Sequence, residues 1–267
     1  MATSKTRPST VAEFTAIARE LLPEEHAEYW LSLLRPTVRL RHAGAGERVV
    51  GHLAGDPVLP VGEPWPLAGH GAELRHLLTL DLAALPDTGL GLPSAGLLEF
   101  FCFDDEGTDG RVLHVPPDAD AAPRPSPPDL RHFAAVPLSA AVETTAPDMA
   151  HVHAYLWALC NDLDEEVWDA LTEAVGTTIP PRHHLLGGYG VGVQEAPDYA
   201  PGLAPADVWT ADGILPEPGL PVLLAQIDTD HEAGLGWGDM GVSYWYVDRG
   251  DLAAGRFERV EMTWSCF

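Results

Sequence analysis

Two short apolar runs near the C-terminus constrain the fold most. Leu223-Leu224-Ala225-Gln226-Ile227-Asp228 and Val242-Ser243-Tyr244-Trp245-Tyr246-Val247 are aliphatic, β-branched and aromatic, the composition that strands select. Between them runs Thr229-Asp230-His231, then Gly236-Trp237-Gly238-Asp239-Met240-Gly241, with no Lys or Arg. The pattern predicts two neighbouring strands joined by an acidic, Gly-rich loop. Asp228, Asp230, Glu232 and Asp239 concentrate negative charge there. Such carboxylates either cap backbone amides in tight turns or await a positively charged group.

The rest of the chain is acidic too. Fifteen Lys and Arg against forty Asp and Glu give a net charge of −25. Phosphate binding needs a cationic face, so nucleic acid is excluded as an expected partner. Anionic membrane surfaces are excluded on the same ground. A basic protein or a divalent cation is permitted, and long-range steering favours both. Cys102, Cys160 and Cys266 are far apart in apolar runs, the pattern of free thiols and not of a disulfide framework. Residues 1–10 are polar and no apolar run reaches the length of a membrane span, so the expected location is the cytoplasm.

Taken in order, the chain opens on Thr10-Val11-Ala12-Glu13, a capping box with a hydroxyl at the N-cap and a carboxylate three residues on. Val11, Phe14, Ile17, Ala18, Leu21 and Leu22 follow at helical spacing, and a second helix is expected from Pro23 to Arg35. Strands are expected at 37–41, 74–80, 97–103, 111–115, 133–138 and 257–266. Asp81 should cap a short turn over 82–85. Helices are expected from Asp148 to Leu159 and from about Asp164 to Val175, the latter stopped by Gly176. Pro116 to Pro128 is Pro- and Asp-rich without apolar period and reads as a surface loop or linker.

A repeat organises these elements. Gly55-Asp56-Pro57, a strand ending in Leu80-Asp81, then Gly96 and the aromatic strand to Phe103 recur as Gly187-Gly188-Tyr189, a strand ending in Ile227-Asp228, then Gly241 and an aromatic strand. This predicts an α+β fold: largely antiparallel β-sheets from two related, duplicated halves, with an N-terminal helical hairpin and helices inserted mid-chain. The expected organisation is a hairpin over 1–36 and an α+β domain over 37–267. Its two pseudo-repeats span about 37–115 and 133–267.

These residues resemble the YwqG-like family of uncharacterised bacterial proteins. The resemblance is carried by Leu223-Leu224-Ala225-Gln226-Ile227-Asp228-Thr229-Asp230, Trp237-Gly238-Asp239-Met240-Gly241, and Asp251-Leu252 with Phe257. Upstream it extends to His184-Leu185-Leu186-Gly187-Gly188-Tyr189, Val193-Gln194, and Leu59-Pro60 to Trp65-Pro66. The chain departs from the family at Gly187-Gly188-Tyr189-Gly190 and at Thr79-Leu80-Asp81. The resemblance implies a duplicated α+β core and brings no reaction or ligand. The company some members keep with toxin genes implies an immunity or partner-binding role.

Catalytic signatures are few. Asp228, Asp230, Glu232 and Asp239 stand at positions one, three, five and twelve of a calcium-loop count. Ala233 occupies the sixth position, where that loop needs Gly, and the flanks read as strands. A divalent cation on Asp228, Asp230 and Asp239 therefore stands beside the plainer reading, in which Asp228 and Asp239 accept amides at the two ends of the turn. His151-Val152-His153 and His183-His184 lack metal spacing, and the Gly-rich run 187–192 lacks the Lys of a phosphate loop. No nucleophile signature is present. Two functions follow. One is a non-enzymatic binding module for a basic protein, immunity-like, contacting it through Asp228, Asp230, Glu232, Trp237 and Asp239. The other is a metal-dependent or small-ligand enzyme with its site at the same loop.

Overall fold

The computed structural model describes residues 8–103, 109–147, 151, 163–175, 184–193, 209–210, 213–214 and 221–266. The helix expected over 148–159 and Cys160 lie outside them, apart from His151. At the N-terminus the capping box forms as the sequence predicts. Thr10 Oγ1 accepts the Glu13 N–H at 3.3 Å, and the Glu13 carboxylate accepts the Thr10 N–H at 3.0 Å. Helix α1 (Val11–Leu21) and helix α2 (Glu24–Ser32) bury Phe14, Ala18, Ala27 and Trp30. These side chains share a cluster with Trp168, Leu171 and Val175 of a later helix, α3 (Glu165–Val175). The Trp30 indole donates to the Pro147 carbonyl at 3.2 Å, which ties the hairpin to the body.

The body is a single antiparallel sheet of ten strands. In spatial order they are β14 (Glu261–Ser265), β13 (Val242–Val247), β12 (Val222–Asp228), β9 (His184–Leu186), β1 (Arg35–His42), β8 (Val136–Thr145), β2 (Gly51–Leu53), β4 (Arg75–Asp81), β5 (Leu97–Cys102) and β6 (Gly110–Val115). The end strands meet, so the sheet curls into a nearly closed barrel. A Cβ placed on Gly110 would fall 2.6 Å from Trp245 and 2.8 Å from Met262; only the missing side chain lets β6 approach so closely. One continuous core runs through both halves and includes Leu40, Leu78, Phe100, Leu138, Leu224 and Trp245.

The strand order mirrors itself about the central pair, β1 with β8. Short β9 and β2 flank that pair, then β12 and β4, β13 and β5, β14 and β6. The register breaks match as well: one lies between His76 and Leu78, the other between Leu223 and Ala225. After β2 come two left-handed residues, Ala54 and Gly55; after β9 come Gly187 and Gly188. The Ala54 N–H donates to Leu77 O at 2.8 Å, and the Gly187 N–H to Leu224 O at 3.2 Å. Each half's first strand pairs only with strands of the other half, β1 with β8 and β9, β8 with β1 and β2.

Several boundaries differ from the sequence reading. Residues 116–128 are not a plain linker, because β7 (Ala121–Pro123) pairs with β3 (Val58–Pro60). Strand β8 continues past Leu138 to Thr145, since its long pairing with β1 compensates for its polar residues. Asp248 caps a short helix, α4 (Arg249–Ala253). Phe257–Arg259 forms a 3₁₀ turn before β14 begins. β10 (Trp209–Thr210) pairs antiparallel with β11 (Gly213–Ile214). No helix among the described residues is long and apolar enough to cross a membrane.

Candidate functional site

The acidic loop leaves β12 at Asp228 and returns to β13 at Val242. It folds over one end of the barrel. Ala233, Leu235 and Trp237 point into the core with at most 1% exposure. The loop closes on itself through paired backbone bonds between Asp230 and Leu235, at 2.8 and 3.0 Å. At its base the Thr229 hydroxyl donates to Gly241 O at 2.9 Å and accepts the Trp237 N–H at 3.2 Å. Gly234 carries φ +67°, and a Cβ there would fall 2.2 Å from the Phe133 ring. The Arg75 guanidinium on β4 donates to Gly234 O at 2.9 Å. The loop thus bridges from the second half to the first.

Asp230 is the hub of this loop. Its side chain is fully buried. Oδ1 accepts the N–H groups of Glu232 at 3.0 Å and Ala233 at 3.2 Å. Oδ2 faces His42 Nε2 at 2.5 Å and His184 Nε2 at 3.4 Å. Neighbouring strands converge on it: His42 ends β1, His184 opens β9, and β9 lies between β1 and β12. The His184 tautomer is set by its other nitrogen, because Nδ1 accepts the Asp228 N–H at 3.2 Å. Nε2 therefore carries the proton and donates to Asp230. Burial alone pushes the Asp230 carboxyl up. The hydrogen bonds from His184, His42 and Ala233 outweigh it and hold the group well below the usual carboxylate range. On its outer side, His42 Nδ1 faces Glu232 Oε2 at 3.4 Å.

The sequence-predicted residues therefore part company. Asp230 is an internal acceptor. Asp228 is 4% exposed and gives its N–H to His184. Trp237 is fully buried and supports the loop from beneath. Glu232 and Asp239 stay exposed, together with Met240. The turn is capped by Asp230, not by Asp239, which makes no hydrogen bond among the described residues. The reason is position: two residues before Glu232, the Asp230 carboxylate reaches the amides of its own turn, whereas Asp239 sits at the outer bend. For a cation, Asp230 has little left to give, since two amides and two imidazoles already meet its oxygens. Among the described residues no three His, Cys, Asp or Glu side chains are grouped to hold a metal ion. Sequence reasoning does not connect His42 or His184 with this loop. The signal for His184 was the apolar Leu185-Leu186 beside it, which places it in a buried strand.

A second buried polar set lies in the first half. Glu99 on β5 is fully buried. Its Oε1 accepts the Val58 N–H at 3.0 Å, and its Oε2 meets His76 Nε2 at 3.0 Å and the Thr79 hydroxyl at 2.6 Å. His76 Nδ1 donates to Gly55 O at 3.0 Å. This set pins the loop after β2. The matching loop after β9 is pinned by Gln226, whose Oε1 accepts the Val191 N–H at 2.8 Å, and by Tyr244, whose hydroxyl donates to Val191 O at 2.7 Å. Burial pushes the Tyr244 phenol above its ordinary range. His151, from the predicted His-x-His pair, is buried with Nε2 at 3.0 Å from Gly190 O. Both sets tie side chains of the sheet to the backbone of the neighbouring loops.

No curated protein matches the chain. A family model does, over residues 51–266. That span begins at β2 and ends just past β14, so it takes in most of the barrel and the acidic loop and leaves out the helical hairpin. The chain belongs to this family, described as a domain of unknown function (DUF1963).

Proposed function

We propose that this chain is a non-enzymatic interaction protein, immunity-like in kind, whose acidic loop receives a basic protein partner. One observation carries the reading. The loop's interior carboxylate is spent on fixing its shape, while Glu232, Asp239 and Met240 are held exposed on that fixed frame. A preorganised acidic tip binds with little ordering cost, and the net charge of −25 steers cations toward it. We also read the two halves as copies of one ancestral unit. Their mirrored strand order, matched register breaks and paired left-handed residues support this. On that reading the acidic loop is the part the second copy has elaborated.

The test is interferometry of the full chain against a panel of basic and acidic proteins, at about 0.05 M and about 0.5 M salt. Binding to basic members that weakens with salt, and weakens again in Glu232→Gln with Asp239→Asn, is expected. Equal binding by wild type and double variant would sink the proposal. The competing reading is a small-ligand or cation-dependent enzyme at the same loop. It is favoured by one feature: Asp230 orients the partly exposed His42 ring as a carboxylate orients a general base. Calorimetric titration with Ca²⁺, Mg²⁺ and Zn²⁺ separates the two. Heat that disappears in Asp230→Asn would favour the enzyme.

A further inference from the structure

Helices α1 and α3 leave a groove between them that the loop reading does not use. It encloses about 560 Å³, within the range of small-ligand and peptide clefts. Ala16, Ile17 and Leu21 from α1 and Ala170 and Ala174 from α3 line its apolar floor. Glu13, Glu20 and Glu173 line it as well and are exposed, and no Lys, Arg or His lines it among the described residues.

We propose that this groove docks one amphipathic helix of a partner protein, flanked by Lys and Arg. Three of the five floor residues are Ala, so another helix can approach to about 8–10 Å between axes. Apolar anchors at i, i+3 or i+4, and i+7 would enter the floor. Glu13 and Glu20 are two turns apart on α1, about 10 Å at 1.5 Å per residue. They match basic residues seven apart on one flank of the incoming helix, while Glu173 meets the other flank. With α1, α2 and α3, the fourth helix completes a bundle. The acidic lining selects the sign of the partner. This inference stands apart from the acidic loop, and either can fail without the other.

The probe is a synthetic peptide of about 18 residues, with Leu at those spacings and Lys on both flanks, titrated into the full chain by fluorescence anisotropy. Saturable binding is expected, with a scrambled peptide at least about tenfold weaker. Ala170→Arg, which fills the floor with a bulky cation, should abolish it while circular dichroism stays native. Glu20→Lys with Glu173→Lys should weaken the Lys peptide and restore binding to one carrying Glu on its flanks. That exchange keeps the proposal testable even if Ala170→Arg fails to fold. No saturable binding, equal binding of the scrambled peptide, or no response to the charge exchange would overturn the proposal. So would binding seen only after residues 1–7 are removed, which would assign the groove to the chain's own Lys5 and Arg7. Self-association abolished by Ala170→Arg would overturn it in favour of a second copy.

Discussion

Replacing Asp230 by Asn tests the hub of the acidic loop. The side chain keeps one carbonyl oxygen, which can still accept the Glu232 and Ala233 amides, now 3.0 and 3.2 Å from Oδ1. The new amide group must then face two imidazoles. His42 can answer by presenting an unprotonated nitrogen, because its ring is partly exposed. His184 cannot do so without cost: moving its proton to Nδ1 would strip the buried Asp228 N–H of its acceptor. One charge-assisted bond is lost, worth about 1.5–3 kcal/mol, and one buried donor faces another, so the total is about 2–4 kcal/mol. Asp230→Ala removes every acceptor and should cost about 3–5 kcal/mol. Asp239→Asn, at the exposed bend, should stay within about 0.5 kcal/mol. Urea denaturation at neutral pH reads all three. The wild-type curve should also carry an acid signature. The folded carboxyl lies below its unfolded value, so its contribution is present above about pH 4 and is lost as pH falls toward the folded value. Asp230→Asn should lack that part of the slope. A variant as stable as wild type, with an unchanged acid limb, would refute the reasoning.

Other perturbations follow from the same geometry. Glu99→Ala should cost about 3–5 kcal/mol by leaving the Val58 N–H and His76 buried without their acceptor; adding His76→Leu should cost less than the sum, with a coupling of about 1 kcal/mol or more in a double-mutant cycle. Gly188→Ala puts a Cβ 2.6 Å from Thr145 Oγ1 at φ +71° and should destabilise by about 3 kcal/mol or more; Gly62→Ala, also left-handed but with nothing within 4 Å, should lose only about 1 kcal/mol. Arg41 holds Glu47 down to about 2, aided by the Gly44 N–H and the Ser139 hydroxyl. Its stabilisation is therefore present above about pH 4 and lost as pH falls toward 2, and Glu47→Gln should flatten the acid limb of thermal stability there.

How much of this was legible depended on the length of the element and the reach of the contact. The capping box at Thr10 and the paired runs 222–228 and 242–247 read out because local pattern decides them. Strands β2, β3, β7 and β9 span only three residues each, too few to show a period. The segment around β7, residues 116–128, reads from sequence as a surface loop or linker. The acidic loop was found as a location but not as a mechanism. Asp230 meets His42 across 188 residues of sequence and His184 across 46, and nothing local announces such a meeting. The pair His183-His184 lacks metal spacing, and only the sheet shows that His184 lies inside, at the start of β9. The sequence reading places amide acceptors at Asp228 and Asp239, the two ends of the loop, whereas the capped turn lies inside it at 230–235.

The exchange of first strands between the two halves has a consequence for assembly. Because β1 hydrogen-bonds only to β8 and β9, and β8 only to β1 and β2, neither half can complete its own sheet. The most distant partners in sequence must come together before either half gains its central strand, so barrel closure should be slow and late in folding. A protease cut within 124–132 would leave two interlocked fragments that stay associated and co-elute under native conditions. Expressed apart, the same fragments would each be a sheet with a missing centre, able to regain structure only by complementing the other.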